Sequence, residues 1–149
     1  MAVIHGQVVL PGTASGPLLR LDGPISFWGG IDPDSGSVSD PRHPQYGQAI
    51  GGTILVIPST IGSSSSSAIM LELLRNGHAP AALVLGNIDA IVTLGVVVGQ
   101  EMGYGSIPVI ALDHGEMALL TSGGEASLDE NGILRTQGAG PSPGNPSMS

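Results

Sequence analysis

Thr53-Ile54-Leu55-Val56-Ile57, then Pro58-Ser59-Thr60-Ile61-Gly62, then Ser63-Ser64-Ser65-Ser66-Ser67 reads as a strand, a turn and the opening of a helix. The strand is continuously apolar, as expected for a strand covered on both faces. Beyond the serines, Ile69, Met70, Leu73 and Leu74 fall on one face of a helix over residues 65–76, which Asn76-Gly77 ends. A helix N-terminus presents unpaired N–H groups and the positive end of a dipole, so it favours an anion. Clustered hydroxyls add donors there. Serine is also a favoured N-cap, so the residues alone leave capping and a substrate-binding turn both open.

Outward from this unit the elements alternate. A strand over residues 81–85 and a helix over 88–101 follow; Asp89 suits the helix's first turn, and Gly95 and Gly99 weaken it. A strand over 107–112 comes next, then strands over 125–129 and 132–136 around the hairpin signal Glu130-Asn131-Gly132. Upstream, residues 3–10 and 16–21 read as strands and 25–28 as a short strand-like run, before an irregular segment over 29–48. Strands with hairpins around a central βαβαβ portion make the class α/β. Parallel strands with helical crossovers carry ligand-binding turns at their C-terminal ends. Residues 58–67 and Gly86-Asn87-Ile88-Asp89 both fall there, on one shared crevice.

The chain has 149 residues, enough for one domain burying about two-thirds of its unfolded surface. It holds no cysteine and no lysine, and its formal net charge is −8. Nucleic-acid binding needs a basic footprint that is absent, and an anionic membrane surface is disfavoured for the same reason. Without a thiolate the chain supplies neither a structural zinc site of the cysteine type nor an iron–sulfur cluster. The first ten residues lack a basic leader pattern, and Asn87 and Asp89 interrupt the most apolar stretch, so a cytoplasmic location is expected.

Several motifs in order carry a resemblance: Ile25-Ser26-Phe27-Trp28-Gly29-Gly30-Ile31-Asp32-Pro33; Asp40-Pro41-Arg42-His43-Pro44 with Tyr46-Gly47; Gly51-Gly52 leading into the strand; the Gly62-Ser63-Ser64 turn; and Asn76-Gly77-His78-Ala79-Pro80-Ala81-Ala82. Together, over roughly residues 1–136, they resemble the small swivelling subunit of the aconitase X family of dehydratases. The resemblance implies a swivelling β/β/α domain similar to the mobile domain of aconitase over residues 1–137. The tail over 138–149 lies outside it and, being Gly/Pro/Ser-rich, is expected to be disordered. It implies a larger catalytic partner that carries the iron–sulfur cluster and most contacts to a small hydroxy-acid substrate, with no cofactor bound by this chain.

The resemblance gives Ser63 the role of the base that removes the substrate proton. Gly62, Ser64 and Ser65 then bind substrate beside it, and Arg42 meets a substrate carboxylate. A serine base requires a preorganised oxyanion site, which N–H groups of the following helix turn can supply. Known members dehydrate cis-3-hydroxy-L-proline, giving Δ1-pyrroline-2-carboxylate, or mevalonate 5-phosphate. Ser59, Thr60 and Ile61 offer no charge to a phosphate, which favours the hydroxyproline type. The resemblance also packs the 29–48 segment against the partner, rimming the active site. Exposed apolar area at Phe27 and Trp28 would drive self-association of the isolated chain.

Other readings stand beside this one. Asp32, Asp34, Asp40 and His43 form an oxygen-rich loop suited to a hard cation, although Asp-Pro and Pro-Asp-Ser-Gly are ordinary turn chemistry. Arg42 in a surface ion pair and His78 as a dipole contact at a helix C-terminus are the plain alternatives for those residues. A non-catalytic mobile binding module and a hydrolase using Ser63, His114 and Asp113 are the competing functions.

Overall fold

The computed structural model describes residues 2–61 and 65–137. The strands in chain order are β1 (Ala2–His5), β2 (Gln7–Leu10), β3 (Ala14–Arg20), β4 (Ile31–Asp32), β5 (Ser37–Val38), β6 (Ile54–Ile57), β7 (Ala82–Leu85), β8 (Val109–Ala111), β9 (Glu125–Leu128) and β10 (Ile133–Thr136). The helical segments are α1 (Phe27–Gly30), α2 (Ser66–Asn76), α3 (Ala90–Glu101) and α4 (His114–Met117).

Eight strands form one sheet in the order β1-β10-β9-β3-β6-β7-β8-β2. The two outer strands are consecutive in the chain, parted at Gly6, with β1 on β10 and β2 on β8. The sheet is therefore nearly closed, which protects its edges. A side chain at Gly6 would press on the ends of Ile110 and Leu112, so glycine lets the segment pass close to the sheet between both ends. β3, β6, β7 and β8 are parallel, whereas β9 and β10 run antiparallel beside β3.

Strict alternation along the parallel strands divides the core. Leu55, Ile57, Leu83 and Leu85 face Met70, Leu73 and Leu74 of α2 and Val92 and Val96 of α3. Ile54, Val56, Ala82 and Val84 point the other way, against Ile4, Leu18, Ala126, Leu128 and Leu134 inside the sheet's curve. Both faces of β6 and β7 are buried, which is why these strands are apolar at every position.

Both main helices end or start on their own sequence signals. Gly77 is left-handed at φ 75°, and the N–H groups of Gly77 and His78 return to Leu74 and Leu73, closing a Schellman motif. Asp89 caps α3 by accepting from the Ile91 and Val92 N–H groups. Gly95 and Gly99 do not weaken α3 in context. A side chain at either would strike Ser67 and Met70, or Leu74, of α2, so they let the two helices approach.

Two expectations for residues 25–48 are corrected. The strand-like run over 25–28 is a single bridge from Ile25 to Thr60 followed by a tight turn. Trp28 (φ −74°, ψ 117°) and Gly29 (φ 82°, ψ −20°) have type II turn angles, inside the segment α1. Phe27 is a core residue, 1% exposed, and Trp28 alone is presented outward, at 61%. The irregular 29–48 segment contains the small β4–β5 ladder.

Candidate functional site

Because β3, β6 and β7 are parallel, the turns that follow them gather at one end of the sheet. Residues 58–61 leave β6 there and meet two neighbours. On one side the Ile25 N–H donates to the Ser59 carbonyl at 3.2 Å, and the Ile61 N–H donates to the Ile25 carbonyl at 2.9 Å. On the other, the Thr60 N–H donates to Asn87 Oδ1 at 3.1 Å, and the Thr60 hydroxyl donates to Asp89 Oδ2 at 2.7 Å. Thr60 and Asp89 are both buried. Gly86 allows the contact: a side chain there would overlap the Pro58 carbonyl. The two turns expected at this end of the sheet are thus joined by direct hydrogen bonds.

A cleft of about 410 Å³ opens beside this turn, lined by Pro24, Ile25, Ser26, Trp28, Gly29, Gly30, Asp40, Pro41, Arg42 and Ile61. Its loop wall is held from beneath. Gln45 exchanges hydrogen bonds with Asp22 at 3.0 and 2.6 Å, tying the 22–24 turn to the 40–48 loop. The buried His43 accepts the Gln45 N–H on Nδ1 at 3.0 Å, which leaves the ring proton on Nε2 facing the Gly23 carbonyl at 3.4 Å. His43 is therefore a strut of the cleft wall.

Arg42, expected to meet a carboxylate, does line the cleft beside Ile61. It is also paired with Asp40 at 3.2 Å, its side chain 91% exposed. Hydrogen bonding to Arg42 lowers the Asp40 pKa, and the same contact raises that of Arg42. Such a pair is loose enough to exchange partners. Ser65 stands half-buried at the N-cap of α2. Gly62, Ser63 and Ser64 lie outside the described residues. Ser66 is 1% exposed and its hydroxyl has no hydrogen-bond partner among the described residues.

The alternative constellations have local occupations. Asp32 accepts from the Asp34 N–H at 2.9 Å and from the Ser35 hydroxyl at 3.0 Å, which lowers its pKa. Among the described residues no three His, Asp or Glu side chains gather as a metal group. Asp113 forms a capping box with Glu116, accepting its N–H at 2.7 Å, rather than orienting His114. The His78 ring faces the Pro33 carbonyl at 3.4 Å, so the side chain secures the 33–36 turn while its N–H closes the end of α2. No described helix is long and apolar enough to cross a membrane.

Sequence reasoning put residues 86–89 on the same crevice as residues 58–67, but the cleft is lined by Ile61 and by none of 86–89. Gly86, Asn87 and Ile88 line a separate hollow with His5 and Asp113. Sequence reasoning also missed Thr60 as the partner of Asn87 and Asp89. The signal was weak: an Asn-x-Asp pair before a helix announces a cap, not a contact nearly thirty residues back.

Residues 3–136 match the family model described as the aconitase X swivel domain. The cis-3-hydroxy-L-proline dehydratase of Hypocrea jecorina is 46% identical over 107 residues, covering 72% of this chain and 18% of that protein. The phosphomevalonate dehydratase small subunit of Methanocella arvoryzae is 32% identical over 127 residues, covering 85% of this chain and 92% of that subunit. The crystal structure of holo-form aconitase X from Thermococcus kodakaraensis aligns with a TM-score of 0.81 at 29% identity, covering 93% of this chain and 100% of that one. The chain spans about a fifth of the length of the hydroxyproline dehydratases it matches.

Proposed function

This chain belongs to the aconitase X swivel-domain family, and on that premise we propose that it is the small part of a hydro-lyase dehydrating cis-3-hydroxy-L-proline. The observation that carries the substrate class is the pattern of likeness. Hydroxyproline dehydratases are 41–46% identical to it, against 32–38% for the phosphomevalonate small subunits. The turn before the serines agrees: Thr60 is spent on Asn87 and Asp89, and Ile61 is an uncharged wall of the cleft.

In this reading the complete site forms between this end of the sheet and a larger partner. The iron–sulfur cluster belongs to that partner, because a chain without cysteine offers it no thiolate. Bound there, it would supply Lewis-acid assistance to loss of the hydroxyl. This chain contributes Ser63 as the base for the substrate proton. Gly62, Ser64 and Ser65 bind substrate beside it; Ser65 is the N-cap of α2, where the dipole favours the developing anion. Arg42, on the cleft wall, meets the substrate carboxylate by exchanging it for Asp40. Elimination then yields an enamine that rearranges to Δ1-pyrroline-2-carboxylate.

The test is to assemble the chain with its large partner under anaerobic conditions and assay both substrates. Turnover of cis-3-hydroxy-L-proline without turnover of mevalonate 5-phosphate supports the reading. The reverse pattern assigns the chain to the phosphomevalonate branch.

A further inference from the structure

We propose that Thr60 and Asp89 form a positioning clamp on the turn over 58–61, the segment that precedes the serine run in the chain, an inference that rests on Ser63 being the base. A carboxylate that only caps a helix needs one oxygen, and Asp89 Oδ1 does that work, accepting from the Ile91 and Val92 N–H groups at 3.0 and 3.1 Å. The second oxygen sits in a residue only 7% exposed. A buried carboxylate oxygen without a donor is costly, and the donor here is the Thr60 hydroxyl at 2.7 Å.

Thr60 is held at two further points. Its N–H reaches Asn87 Oδ1 at 3.1 Å, and the Asn87 amide donates back to its hydroxyl at 3.4 Å. With the Ser59 carbonyl and Ile61 N–H bonded to Ile25 on the opposite side, the turn is gripped from both flanks. The arrangement thus links the start of α3 to the residues that lead into α2. Thr60 stands three positions before Ser63 in the chain, so on this proposal a shift at Thr60 is passed to the base. Thr60 touches no reacting atom; it acts through the chain.

Misplacing a reacting group by about 1 Å costs about 100-fold in rate. In the assembled complex, Thr60→Val keeps the shape and the N–H to Asn87 but deletes the hydroxyl. The expected result is a kcat lowered by about 10- to 100-fold with KM changed by less than about threefold. Thr60→Ser, which restores the hydroxyl, should recover most of the rate. The extent of complex formation and the melting temperature, read on the same samples, separate lost positioning from lost folding. Wild-type kcat in Thr60→Val, a deficit that disappears when corrected for assembled complex, or a Thr60→Ser variant as slow as Thr60→Val overturns the clamp. Ser63→Ala run alongside keeps the two ideas apart. Retained turnover there removes the base and with it this proposal, while lost turnover there with an unimpaired Thr60→Val removes the clamp alone.

Discussion

The β9–β10 hairpin and the turn after β6 are both short polar connections, yet they are fastened in opposite ways. The hairpin turn is shaped chiefly by its own residues, although the Gly6 N–H also reaches the Gly132 carbonyl at 2.9 Å. Asp129 Oδ1 accepts from the N–H groups of Asn131 and Ile133 at 2.9 and 3.1 Å, and Gly132 supplies the positive φ of 81°. The turn over 58–61 is held by Ile25, Asn87 and Asp89, which belong to distant parts of the chain. A turn whose side-chain bonds are its own reports mainly on its own hairpin. A turn fastened from outside couples its neighbours' positions to whatever follows it, and here the serine run follows.

Breaking the shared fastening should have the largest effect. Gly86→Ala places a methyl on the Pro58 carbonyl, a backbone clash no rotamer can relieve. It should cost about 3 kcal/mol or more, read from chemical denaturation. Asp89→Ala removes the α3 cap and leaves the Thr60 hydroxyl buried without its acceptor, so a loss of about 2–3 kcal/mol is expected. Ser66→Ala should act in the opposite direction. It deletes a buried hydroxyl that has no partner among the described residues and improves helix propensity, raising stability by about 1 kcal/mol.

The hairpin sharpens the contrast at the small end. Hydrogen bonds from Ile133 N–H and Arg135 hold the Asp129 pKa below the usual 3.8. A depressed carboxylate stabilises above its unfolded value, and that contribution is lost as pH falls from there through the folded one. Acidification below about pH 3.8 should therefore loosen the hairpin, seen as faster amide exchange at residues 125–136, with only a minor fall in global stability because the groups are exposed.

The same contrast explains what could be read from the sequence. Asn131-Gly132, Asn76-Gly77 and the run 53–57 carry their instructions within a few residues, so the hairpin, the end of α2 and β6 were legible. Thr60 and Asp89 are each ordinary alone, and only the fold brings them within 2.7 Å. Gly95 and Gly99 misled for a related reason: helix propensity counts their cost, but the close approach of α2 that requires them is tertiary. Phe27 and Trp28 are adjacent apolar rings with opposite fates, and the type II turn decides which one is buried.

The measurement that bears most directly on the account is turnover of cis-3-hydroxy-L-proline by the assembled complex carrying wild-type chain or Ser63→Ala. The account predicts equal assembly and a rate reduced by about a thousandfold or more in the variant. Undiminished turnover by an intact Ser63→Ala complex would contradict it.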